Sequence, residues 1–202
     1  MLKWRTSIPW SMVAGRMALG PAIAFIAAEF AHPELWLGLM IAAGFFSDIY
    51  DGILARRWGT ESNALRTSDS VADTIFYFGI LAAIIARERP VLAARIDLIA
   101  ALLALEVTRW LFDWIKFRRM ASYHSYASKF WGILLAAAAI ALLCFHTAFW
   151  LVTVAIVWGI LCDLEGLAMS ILLPEWKRDV RNLKRAWILR KQIISTAAHR
   201  ED

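Results

Sequence analysis

Four aspartates in this chain have the residue type and spacing to do chemistry. Asp48 and Asp51 are three apart, and Asp69 and Asp73 are four apart, so on helices each pair shares a face. All four lie in apolar surroundings, where a bare carboxylate costs at least ~2.5 kcal/mol. Four together also repel one another, so either some protonate or positive charge sits between them. Hard oxygen ligands converging from two helices suit Mg²⁺ or Mn²⁺, and four carboxylates are enough for two such ions. The competing reading is ion pairing between helices with Arg16, Arg56 or Arg109, which leaves carboxylates over. Gly52 and Ala55 follow Asp48 and Asp51 by four residues each. They form a small-residue face along which a bulky substrate can approach the helix backbone, and Arg56 at the helix end is placed to meet a phosphate. Taken singly, Gly52 and Ala55 are ordinary membrane-helix packing residues, and Arg56 is an ordinary charge of a cytoplasmic loop.

The elements that must position these residues are membrane helices. Sixty per cent of the 202 residues are hydrophobic and 11 are tryptophan, and the mean hydropathy is +0.56, far from soluble-domain averages. Six apolar stretches approach the ~20 residues needed to cross a bilayer, over 11–31, 34–57, 67–87, 90–115, 127–147 and 149–173. The expected fold is all-α: a polytopic membrane protein of six transmembrane helices with short connections. A soluble bundle with a very apolar core is set aside, because six spans leave almost nothing to cover such a core. The second and third spans are consecutive and antiparallel. Asp48, nine residues before Arg57, and Asp73, seven after Arg66, therefore lie roughly 10–14 Å inside one end of the bundle.

Charge orients that bundle. Lys3 and Arg5 precede the first span, Arg56, Arg57 and Arg66 flank the second loop, and Lys116, Arg118 and Arg119 lie in the fourth. From Pro174 onward there are eight Lys/Arg against four acids, whereas the loop after the first span has Glu29, His32 and Glu34 with no cation. Both termini and the aspartate cluster are thus expected on the cytoplasmic side. Arg87, Arg89 and Arg95 disagree with that orientation. Arg16 interrupts the first apolar run, so that run reads as a retained helix and not a cleaved signal. Cys144 and Cys162 fall within spans and read as small packing residues. With no internal repeat, residues 1–173 are expected to form one six-helix domain followed by a basic tail over 174–202. In that tail Trp176, Val180, Leu183, Trp187 and Ile188 follow helical spacing. The pattern suits an amphipathic helix on an anionic leaflet, or else a solvated basic tail.

Asp48-x-x-Asp51-Gly52-x-x-Ala55-Arg56, continued by Asp69-x-x-x-Asp73, resembles the signature of the CDP-alcohol phosphotransferase family, D-x2-D-G-x2-A-R-x8-G-x3-D-x3-D. Seven of the eight fixed positions are filled, and the second glycine is replaced by Leu65. In the family that glycine adjoins the nucleotide-binding region. The resemblance implies an integral-membrane enzyme of phospholipid synthesis. It would move a phosphatidyl group from a CDP-linked lipid, usually CDP-diacylglycerol, to a small alcohol and release CMP. It further implies that Asp48, Asp51, Asp69 and Asp73 hold two divalent cations, Mg²⁺ or Mn²⁺, and that Asp73 doubles as the base. Gly52, Ala55 and Arg56 would face the donor's CDP.

The acceptor is less defined. Arg109, Asp113 and Lys116 fall at i, i+4 and i+7 on the fourth span, and Lys129 opens the fifth beside "SYHSYAS". These cations suit an acceptor phosphate, as in glycerol 3-phosphate or inositol phosphate. The alternative is an Arg109–Asp113 pair with Lys116 and Lys129 reaching to headgroups. Asp163 lies at a depth like that of Asp48. It is expected to contact acceptor hydroxyls or an amine, or else to pair with Arg16; Glu165, two residues on, points elsewhere. The expected partners are CDP-diacylglycerol, a small alcohol and membrane lipids, with a homodimer left open and no nucleic acid. The expected location is the cytoplasmic (inner) membrane. Two other classes compete, an aspartate-rich membrane prenyltransferase and a cation- or proton-coupled transporter.

Overall fold

A computed structural model describes residues 3–119, 123, 125–177 and 180–201; for Lys3 and 196–201 only the helical backbone is described. The described residues form eight helices and no strands: α1 (Lys3–Glu29), α2 (Glu34–Trp58), α3 (Asn63–Arg87), α4 (Arg89–Ala93), α5 (Ile96–Phe117), α6 (Tyr126–Phe145), α7 (Phe149–Leu172) and α8 (Leu183–Glu201). Five of them, α1, α2, α3, α6 and α7, are long and apolar enough to cross a membrane. The all-α membrane fold therefore holds, with one span fewer than expected. The exception is α5, whose length suffices but which carries Asp97, Glu106, Arg109, Asp113 and Lys116. The expected span 90–115 also begins later, at Ile96, because a separate short helix with Pro90 in its first turn precedes it.

The chain divides into two compact units, Met1–Ala94 with Ala136–Phe149, and Arg95–Leu135 with Trp150–Asp202. In the first, α1 packs against both α2 and α3, which touch each other little. The second and third spans are thus not simply side by side, as expected; the first helix joins them. Glycine makes the α1–α3 contact possible. A Cβ on Gly79 would lie 2.1 Å from the Gly20 carbonyl oxygen, and one on Gly20 would lie 2.4 Å from that of Ile75. Two backbones approach this closely only where neither carries a side chain. Beyond the crossing, Ile23, Ala27, Leu37, Ile41, Phe76 and Ile80 form the apolar core.

The turn between α2 and α3 is set by two residues. Gly59 ends α2 in the left-handed region at φ 63°, its N–H reaching back to the Ala55 and Arg56 carbonyls, a conformation that glycine adopts without strain. Ser62 begins α3 by accepting the Leu65 N–H at 3.1 Å, which starts the helix four residues before the apolar run. At the other end of this unit, Arg87 donates to the carbonyls of Phe30 and Ala31, both at 3.2 Å, and lies 3.7 Å from Glu34. His146 Nδ1 sits 2.5 Å from Glu88. Arg87, one of the cations that disagreed with the expected orientation, is therefore well partnered.

The second unit is knit by side chains that bond to backbone across helices. Trp131 Nε1 donates to the Ala155 carbonyl at 2.8 Å and Trp158 Nε1 to that of Ala127 at 3.1 Å. Arg95 donates to Thr153 Oγ1 at 2.8 Å. The tail departs from its expected register, for α8 starts only at Leu183. Val180 and Ala186 are buried against Met169 and Leu173, and Arg190 donates to the Leu172 carbonyl at 2.9 Å. Leu183, Trp187 and Ile194 stay exposed, with Lys191 lying over the Trp187 ring at 5.3 Å. Arg178, Asp179 and Asp202 of the tail, with Ser122 and His124 before α6, lie outside the described residues.

Candidate active site

The glycine crossing decides what meets at the polar end of the first unit. One turn before Gly20, α1 carries Arg16, and α3 carries Asp69 and Asp73 ahead of Gly79. On α2, Ser47 donates to the Met12 carbonyl at 3.2 Å, which fixes that helix's level against α1 and brings Asp48 and Asp51 to the same place. Arg16, 1% exposed, touches all four aspartates: Nη1 lies 2.6 Å from Asp48, Nη2 2.8 Å from Asp51 and also against Asp69, and Nε 3.1 Å from Asp73. The fork is not fully matched. Nη2 donates hydrogen bonds to Asp51 and Asp69, whereas Nε and Nη1 make none among the described residues. Among the described residues Arg16 thus meets Asp48 and Asp73 as ion pairs without an aligned hydrogen bond.

Asp51 is buried, while the other three are partly open, Asp48 the most at 45% of its side chain. Asp48, Asp51 and Asp69 each offer an oxygen within 4.8 Å of the others'. Three hard anionic oxygens at that spacing fit a divalent cation of the Mg²⁺ or Mn²⁺ kind, and Asp73 is tied to the trio through Arg16. The ion-pair and metal readings of these acids therefore meet in one cluster. Sequence reasoning had Arg16 only as an alternative partner. Its signal was an arginine in an apolar run, which is expensive unless paired.

Of the residues assigned to the donor, Gly52 and Arg56 come together as their spacing predicts. A Cβ on Gly52 would sit 3.4 Å from Arg56 Nη1, so the exposed guanidinium folds back over the bare helix. Ala55 is buried with Val13, Leu65 and Ala72, and Met17 packs beside them. Leu65, where the signature has glycine, fills this small core.

The residues assigned to the acceptor belong to the second unit. Arg109 Nε donates to Asp163 Oδ1 at 2.9 Å, and Gly166 lies under the Arg109 side chain, a Cβ there meeting its Cδ at 3.1 Å. This decides against the alternative Arg109–Asp113 pair, for Arg109 takes Asp163. Asp113, fully buried, accepts from Ser170 Oγ at 2.5 Å, and Lys116 donates to the Ser170 carbonyl at 2.7 Å. Tyr123 lies 3.1 Å from Ser170 Oγ; burial raises its hydroxyl pKa, so it stays a neutral partner. Asp113 Oδ2, Asp163 Oδ2 and Glu165 Oε2 are buried without a hydrogen-bond partner among the described residues. Lys129 is exposed and makes no ion pair among them.

Fold and site together define a helical membrane protein with a cluster of carboxylates that could hold a divalent cation. The family model of the CDP-alcohol phosphatidyltransferases matches residues 6–164, and the chain belongs to that family. It is a phosphotransferase of phospholipid biosynthesis that moves a phosphatidyl group from a CDP-alcohol to an acceptor, which sets aside the prenyltransferase and transporter readings. Among curated proteins and solved structures, none matches the chain.

Proposed function

We propose that the chain transfers the phosphatidyl group of CDP-diacylglycerol to a small alcohol, glycerol 3-phosphate or an inositol-type polyol, and releases CMP. The observation that carries this is the convergence of Asp48, Asp51, Asp69 and Asp73 from two helices onto one guanidinium. These carboxylates would hold Mg²⁺ or Mn²⁺, two ions in all, and the bound cations would supply neutralisation of the donor's diphosphate and of the departing CMP. Asp73 takes the proton of the acceptor hydroxyl as its oxygen bonds to phosphorus and the bond to CMP breaks. Arg56, laid over Gly52, offers its guanidinium fork to a donor phosphate, and Ala55 backs that segment from the core. In the second unit, Lys129 and Arg109 attract an acceptor phosphate, and the unpartnered Asp163 oxygen accepts an acceptor hydroxyl. Lys/Arg bias supports a cytoplasmic membrane location with both termini and the site facing the cytoplasm. Residues 1–173 act as the catalytic domain. The tail from 174 lays Leu183, Trp187 and Lys191 on the anionic leaflet.

The experiment is CMP release from CDP-diacylglycerol by the purified protein, offered a panel of alcohols. CMP should appear only with an accepted alcohol, vanish with EDTA and return with Mg²⁺ or Mn²⁺. Release that ignores both the alcohol and the metal would sink the proposal.

A further inference from the structure

The partner of the four aspartates comes from outside the helices that carry them. Arg16 lies on α1, 1% exposed, with an ion-pair contact to every one of the four. Its placement follows from backbone, because the Gly20–Gly79 contact one turn away lets α1 lie directly against α3. We infer that Arg16 is a built-in counter-ion, which shares the four carboxylates with the divalent cations and sets how tightly the cluster holds them.

The geometry gives this role its character. Among the described residues Nη2 alone of the guanidinium nitrogens forms hydrogen bonds, to Asp51 and Asp69. Asp48 and Asp73 have the guanidinium beside them but, among the described residues, no aligned donor from it, and Asp48 is the most open of the four at 45%, against 35% for both Asp69 and Asp73. Asp48 is thus the most accessible to an incoming cation, while the guanidinium keeps Asp51 and Asp69 gathered within reach of it. The charge balance points the same way. Four carboxylates and one guanidinium leave a charge of −3, which two divalent ions turn into +1; without Arg16 the same ions give zero. Arg16 thus repels a metal approaching the cluster, and it leaves the loaded cluster cationic towards the anionic diphosphate. Loss of Arg16 should therefore tighten metal binding and weaken the metal-free fold, because the buried Asp51 and the three partly open carboxylates around it would lose their shared partner. A side chain that merely fills space does not move these two quantities in opposite directions.

The inference rests on the metal reading of the cluster, and the test separates the two. Full-length wild type, Arg16→Lys and Arg16→Gln in detergent are titrated with Mn²⁺ by electron paramagnetic resonance, and each is melted in EDTA and in saturating Mn²⁺. The Mn²⁺ Kd should fall at least tenfold in Arg16→Gln, with Arg16→Lys between it and wild type. Melting temperature in EDTA should fall in the order wild type, Arg16→Lys, Arg16→Gln, and Mn²⁺ should raise it most in Arg16→Gln. A wild type that binds no Mn²⁺ refutes the metal reading itself. If wild type binds but Arg16→Gln binds within threefold of it, or more weakly, the counter-ion role is overturned. Should Arg16→Gln not yield folded protein, Arg16→Lys decides, and a Kd no tighter than wild type overturns the inference.

Discussion

Gly79→Ala adds one methyl group where the fold has no space for it. The new Cβ would lie 2.1 Å from the Gly20 oxygen, 2.4 Å from its carbonyl carbon and 2.6 Å from its Cα. All three are backbone atoms, so no rotamer relieves the clash. Ordinary contact begins near 3.4 Å, so α1 and α3 must part by about 1 Å. Overpacking of this kind costs about 1–3 kcal/mol, or roughly 2–4 °C of Tm per kcal/mol in a chain this long. The catalytic effect should be larger. The same separation draws Arg16 away from Asp69 and Asp73, and a misplacement of about 1 Å costs on the order of 100-fold in rate. Gly15→Ala is the control: its Cβ meets nothing within 4 Å, so kcat should hold and stability rise by up to ~1 kcal/mol from helix propensity. CMP-release kinetics and thermal melts in detergent measure both variants. A Gly79→Ala enzyme with wild-type kcat and Tm would refute the claim that this crossing positions the site.

Asp73→Asn should lower turnover by roughly 10²–10⁴-fold in a protein that still folds and still binds CDP-lipid; near wild-type turnover removes Asp73 as the base. Leu65→Gly should destabilise by about 2–5 kcal/mol, since it empties a packed site, and should raise the donor KM more than it changes kcat through the shifted Ala55 segment. An unchanged Tm and donor KM would show that Leu65 supports neither. Asp163→Asn should raise the acceptor KM with the donor KM nearly constant. A lowered Tm with normal acceptor kinetics would reduce Asp163 to a partner for Arg109.

The carboxylates were legible because their spacing alone put each pair on one face, and the apolar runs were legible because a bilayer demands them. Arg16 was harder to assign. It precedes Asp51 by 35 residues and Asp69 by 53, and its role depends on a glycine crossing that no periodicity announces. The charges of α5 misled in the opposite way. Read as a stripe along one helix, they suggested an Arg109–Asp113 pair, but α7 supplies the partners of both. The signature position filled by Leu65 could be seen to differ, yet that its side chain completes a core with Val13 and Ala72 follows only from where α1 lies. The tail's stripe counted residues before Leu183 as helical, because apolar spacing cannot distinguish a helix from a strap packed on the preceding one.

The order of Arg16 and its four acids along the chain bears on biosynthesis. Synthesis delivers α1 first, so the cation is already in the bilayer when α2 arrives with two carboxylates and α3 with two more. Each acid inserted alone would cost ~2.5 kcal/mol or more. Here a guanidinium waits at the right level, and the four-residue turn from Gly59 to Ser62 returns the chain to it at once. The carboxylates therefore need no metal supply at the moment of insertion. A metal-starved cell would be expected to accumulate inserted but inactive enzyme, ready for cations, and not a chain rejected at the membrane.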